Sequence, residues 1–165
     1  MSWIASAGDS PPLEGLFAHR PELLTRYRAF YSALWDGDLV PRRVLELCRL
    51  RIAAIHDCAA EWAVRDAGVA LDNPEAAALK RGDFAAFAAS EQAALAIAER
   101  FPFEHHGVSD ADVAEAAKTF GEAGTVALMV ALAFFDATCR WKLAFDLAEL
   151  PANLNSPPLH QGALV

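Results

Sequence analysis

ELCRLRIAAIHDCAAEWAVRDAG, the stretch Glu46–Gly68, decides how this chain folds. Pro41 stands just ahead of it and opens a helix, because a proline at the first helical position loses no intrahelical hydrogen bond. Val44, Leu45, Cys48, Ile52 and Ile55 then recur at helical spacing, with Arg42, Arg43, Arg49 and Arg51 between them. Polarity returns at His56 and Asp57, and Asp57 suits the N-cap of a further helix holding Cys58, Glu61, Trp62 and Arg65 and stopping at Gly68. The two helices either run on as one or turn between Ile55 and Asp57. On the second helix Cys58, Glu61 and Arg65 fall at i, i+3 and i+7, one face and one pocket. Glu46, twelve residues before Cys58, would lie about 18 Å away on a continuous helix, and it joins that pocket only through the turn.

Working outward, the same grammar repeats. Pro21 opens a helix to Trp35 whose Leu23, Leu24, Tyr27, Phe30, Tyr31 and Leu34 line one face, and Asp36-Gly37-Asp38 ends it. Asn73-Pro74 starts a short helix to about Lys80, Ser90 caps another to about Phe101, and Ser109 with Asp112 caps a third to about Phe120. Gly121 and Gly124 punctuate the join to a last, very apolar helix from Thr125 to about Leu150, closed by Pro151. Residues 1–20 read as an N-terminal extension, 21–150 as one helical domain and 151–165 as a tail without a period. With 36 alanines in 165 residues and no alternating run, the expected class is all-α.

Composition narrows the function. Fourteen basic against 22 acidic residues give a net charge of −8, and no basic stripe forms, which argues against a nucleic-acid partner. The longest apolar run, Val126 to Phe135, is half of what a membrane span needs, and no secretory pattern opens the chain, so a cytoplasmic protein off the membrane is expected. Three cysteines, Cys48, Cys58 and Cys139, none at C-x-x-C spacing, suggest single thiols rather than disulfides or a zinc site. Cys48 and Cys139 read as core. Glu104-His105-His106 sits in a loop and reads as no metal site; no metal or cofactor is expected. A mean hydropathy of +0.19 leaves more apolar surface than a small monomer hides, so burial between subunits is expected.

The central stretch resembles the carboxymuconolactone decarboxylase and alkylhydroperoxidase D-like family. The peroxidase branch of that family carries E-x11-C-x2-C-x3-H, and the matching positions here are Glu46, Cys58, Glu61 and Arg65. The acid and the first cysteine are kept, the second cysteine is replaced by Glu61, and the histidine by Arg65. The likeness runs from about Leu34 to Leu150. It implies an alkylhydroperoxidase D-like helical subunit of a homo-oligomer, a trimer or hexamer.

The first function implied is acid/base chemistry on a small organic acid or lactone, of the decarboxylase kind. Glu46 and Glu61 would move protons, Arg65 would hold a substrate carboxylate through its bidentate fork, and His56 would stand beside it in the substrate-binding set. One alternative is a single-cysteine hydroperoxide reductase with Cys58 as the peroxidatic thiol and an external thiol as its resolver. Another is an oligomeric binding module without catalysis. Two carboxylates against the single Arg65 guanidinium predict a poorly activated Cys58 and slow hydroperoxide turnover.

Overall fold

The computed structural model describes residues 4, 5, 7 and 11–147; the expected tail and the last residues of the final helix lie outside the described residues. Seven α-helices and one short 3-10 turn account for the described chain, and no strand occurs among the described residues. The helices are α1 (Pro12–Phe17), α2 (Pro21–Trp35), α3 (Arg42–Ile55), α4 (Ala59–Trp62), α5 (Asn73–Arg81), α6 (Ala89–Arg100) and α7 (Asp110–Ala144), with the 3-10 turn at His105–Gly107. The all-α expectation is met.

Helix α3 is the axis of the molecule. Leu47, Cys48, Leu50, Ile52 and Ala53 are fully enclosed, because α3 packs against α6 and α7 along its length and against α4 and α5 at its sides. Leu95 and Ile97 of α6 and Leu128, Leu132 and Phe135 of α7 complete that core. Each fully buried side chain of this size contributes roughly 1.5–3 kcal/mol, so the helix bearing the candidate site is also the most firmly held. Arginines of α3 serve as ties. Arg51 donates to the carbonyl oxygens of Leu79 (3.1 Å) and Lys80 (2.8 Å), satisfying the C-terminal end of α5 with a cation where the helix dipole favours one.

Two glycines shape α7. Gly121 has φ 72° and ψ 172°, a backbone region essentially reserved for glycine, and it kinks the element into two helical runs at the junction the sequence marks. Gly124 lets α7 approach the loop before α3, since a Cβ there would stand 2.9 Å from the Leu39 carbonyl oxygen. By length and composition α7 is apolar enough to cross a membrane, and a third of its most apolar window is buried within the chain. Exposed apolar side chains remain on it, Val126 and Val130 among them, and on α2 at Leu23 and Phe30.

Three expected boundaries move. The segment before Pro21 is not wholly irregular: Pro12 starts α1, and Leu13 and Leu16 are buried with Leu147, while Glu14 pairs with Arg28 of α2. Helix α5 is capped one residue early, by Asp72, in a reciprocal box with Glu75 (2.8 and 3.1 Å). Helix α6 begins before Ser90, with the Glu91 carboxylate accepting the Ala88 N–H at 2.9 Å.

Candidate active site

The chain does turn between α3 and α4. His56 is the C-cap of α3, Asp57 adopts a left-handed conformation (φ 50°), and the Cys58 N–H donates to the Ala53 carbonyl at 2.9 Å. Aspartate tolerates this region better than most residues, so the reversal is encoded locally. Helix α4 then makes a single turn and stops at Trp62, six residues before the expected stop at Gly68.

The early stop has a visible cause. Arg49 of α3 is buried, and each of its five N–H donors has an acceptor. Nε and Nη2 fork onto the two oxygens of Glu46 at 2.9 and 2.8 Å, Nη2 also reaches the Val64 carbonyl at 2.8 Å, and Nη1 takes the Glu61 carboxylate together with the Glu61 carbonyl at 3.1 Å. Glu46 Oε1 in turn accepts the Asp66 N–H at 3.1 Å. Backbone groups that would otherwise continue α4 are thus satisfied by side chains of α3, and the helix yields to an extended wrap around the guanidinium.

Glu46 and Glu61 therefore converge, as the turn was expected to allow, but onto Arg49 rather than onto a pocket with Arg65. Arg65 lies beyond α4, exposed, with its guanidinium 4.7 Å from the Trp62 ring and donating to its neighbour's carbonyl, Val64 O, at 3.2 Å. The single helical face expected for Cys58, Glu61 and Arg65 does not form, because helix geometry ends three residues before Arg65. His56 is tied down too: its Nε2–H donates to Asp136 Oδ1 of α7 at 2.6 Å, its ring rests 4.8 Å from Phe103, and Asp136 also takes Arg140 at 2.9 Å.

The second oxygen of Glu61 is held by Lys142 of α7. Glu46, Arg49 and Glu61, all buried, and the half-buried Lys142 form a chain of two carboxylates and two cations. Burial alone would raise the Glu61 pKa, but the Lys142 and Arg49 charges and hydrogen bonds outweigh it and hold that carboxyl at about 2. At neutral pH it has no proton to give and its oxygens are occupied, a poor arrangement for a general acid or base.

Cys58 has an unexpected neighbour. The Cys139 thiol of α7 is the largest influence on the Cys58 pKa and lowers it. Burial pushes that pKa up; the Glu61 backbone, whose N–H donates to the Cys58 carbonyl at 3.1 Å, pulls it down; the Glu61 carboxylate raises it and Lys142 lowers it. The net displacement is downward, against the expected poorly activated thiol. Cys139 moves the other way and keeps its proton. Cys48, enclosed in α3 among apolar neighbours, is pushed far up by burial and is inert by contrast.

The residues missed by sequence reasoning are Arg49, Cys139 and Lys142. One signal was available: Cys139-x-x-Lys142 has the spacing of Cys58-x-x-Glu61 with the opposite charge, the pattern expected of two elements paired in register. Among the described residues no group of three or more histidine, cysteine or acidic side chains is arranged to hold a metal ion. Comparison of the chain with protein-family models, curated proteins and solved structures finds no match.

Proposed function

We propose that the chain is a thiol-dependent hydroperoxide reductase in which Cys58 is the attacking sulfur. The observation that carries this reading is the setting of that sulfur, at the start of α4 and beside α7, where Lys142 pairs with Glu61. Cys139, the first turn of α4 at Glu61 and Lys142 all act to lower the Cys58 pKa, which favours thiolate near neutral pH. The family resemblance of the Glu46–Arg65 stretch supports the same chemistry. Acid/base work on a lactone is less well supported, since Glu46 and Glu61 are consumed by Arg49 and Lys142 and Arg65 faces solvent. Assembly belongs to the reading: a second copy would cover the apolar side chains left exposed on α7 and α2.

In the first half-reaction the thiolate attacks the terminal oxygen of the hydroperoxide. An S–O bond forms, the O–O bond breaks, and the departing alkoxide takes a proton and leaves as water or an alcohol, with Cys58 oxidised to the sulfenic acid. Cys58 is 1% exposed, so a small hydroperoxide is the better substrate. With a dithiol reductant present, the parent protein should consume hydrogen peroxide faster than a bulky aryl hydroperoxide, and Cys58→Ser should lose both activities. Equal consumption by parent and Cys58→Ser would remove the proposal.

A further inference from the structure

We infer that Cys139 is the resolving thiol for Cys58, so that oxidation closes a disulfide between the turn ahead of α4 and the C-terminal part of α7. The inference rests on Cys58 being the oxidised sulfur, but the pairing stands on geometry of its own. Two contacts tie the α3–α4 segment to α7, His56 to Asp136 and Glu61 to Lys142, and Cys58 and Cys139 lie between them on the two segments. The α7 partners are spaced by three residues, which puts them on one helical face. An ion pair or charged hydrogen bond therefore clamps the two segments on either side of the thiols. The two thiols are thereby held as neighbours, and a disulfide needs their sulfurs to close to about 2.05 Å.

Burial decides which thiol resolves. Cys58 is 1% and Cys139 0% exposed, so the neighbouring Cys139 meets an oxidised Cys58 before a slower outside thiol does. Cys48 is also enclosed, within α3, where burial keeps its thiol protonated. The step balances. The Cys139 sulfur attacks the sulfur of the Cys58 sulfenic acid, an S–S bond forms, the S–O bond breaks, and the hydroxide leaves as water with the Cys139 proton. The thiolate charge on Cys58 that helps hold that proton on Cys139 has vanished once Cys58 is oxidised, so Cys139 becomes a better nucleophile when it is needed. A dithiol reductant then attacks the disulfide, returns both thiols and leaves as its own disulfide.

The test treats the full chain with hydrogen peroxide, denatures it, alkylates the remaining thiols and measures intact mass and peptide linkage. The parent should fall from three alkylated cysteines to one, Cys48, with the Cys58 and Cys139 peptides joined. Cys139→Ser should instead accumulate Cys58 sulfenic acid, trapped by dimedone, and Cys139→Ala provides the same readout should serine be poorly tolerated in the core. A parent that accumulates as much dimedone adduct as Cys139→Ser, or that links two chains rather than one, overturns the inference while leaving Cys58 as the peroxidatic thiol. Diamide, which makes disulfides without a sulfenic acid, separates the two claims. If peroxide leaves Cys58 untouched, the function fails; a Cys58–Cys139 disulfide made by diamide then upholds the pairing, and its absence overturns that as well.

Discussion

Replacing Arg49 with leucine is expected to destabilise the protein by about 3–5 kcal/mol, because it strands two buried carboxylates with Lys142 as their remaining cation. A loss of that size is a large part of the stability of any domain and should lower the melting temperature by roughly 10 °C or more. The reason lies in what the guanidinium holds. Beyond its salt bridges to Glu46 and Glu61, it satisfies the carbonyls of Glu61 and Val64 where α4 unwinds. The double variant Arg49→Leu, Glu46→Leu should recover part of the loss, since one of the unpaired charges goes with its partner. Urea melts of the three proteins measure this; equal midpoints for parent and Arg49→Leu would contradict it.

The same network sets the acid limit. Glu61 has a folded-state pKa of about 2, below its unfolded value of about 4.3, so the stability it contributes is fully present above the unfolded value. That contribution is lost as pH falls from about 4.3 through about 2. A urea midpoint that drops across this window in the parent, and drops less in Glu61→Gln, is the expected result.

The second large effect concerns the thiol. Lys142 lowers the Cys58 pKa and Glu61 raises it, and the two side chains touch each other. Lys142→Gln removes a nearby cation, which should raise the Cys58 pKa by roughly one unit. Thiolate at neutral pH would then fall from about half to about a tenth of molecules. Glu61→Gln should displace it in the opposite direction. Ultraviolet titration of the thiolate in each variant reads the sign directly, without requiring a reagent to reach a buried sulfur. Displacement of both variants in one direction would show that the charge pair does not govern Cys58.

Much of the fold is legible in the sequence because its punctuation is local. Pro21 and Asp36 bracket α2 where the structure has it, Ser109 and Asp112 make the expected reciprocal cap, and Gly121 marks the kink in α7. The turn at His56-Asp57 is legible for the same reason. The site is less so, since its decisive partners are distant in sequence. Arg49 reads as one of several arginines along α3, yet it is the one whose position faces Glu61 and the unwound backbone after Trp62, and that contact cuts α4 short. Spacing puts Arg65 on a helix, but hydrogen bonds of Arg49 and Glu46 with the backbone at Glu61, Val64 and Asp66 override helix propensity before the chain reaches it. Cys139 lies 81 residues beyond Cys58, past the apolar run that ends at Phe135, and its spacing to Lys142 is matched by Cys48 and Arg51, so spacing alone does not tell the two thiols apart. Only the packing of α7 against the α3–α4 turn separates the two.

The central claim is that Cys58 is a thiolate near neutral pH because Cys139, the Glu61 backbone and Lys142 stabilise its charge. Its most direct measurement is the difference in ultraviolet thiolate titration between the parent and Cys58→Ser. The account predicts a transition centred at about 7 that disappears in Cys58→Ser and moves upward in Cys139→Ala. A Cys58 transition at or above about 8.5, the value of an ordinary thiol, would contradict it.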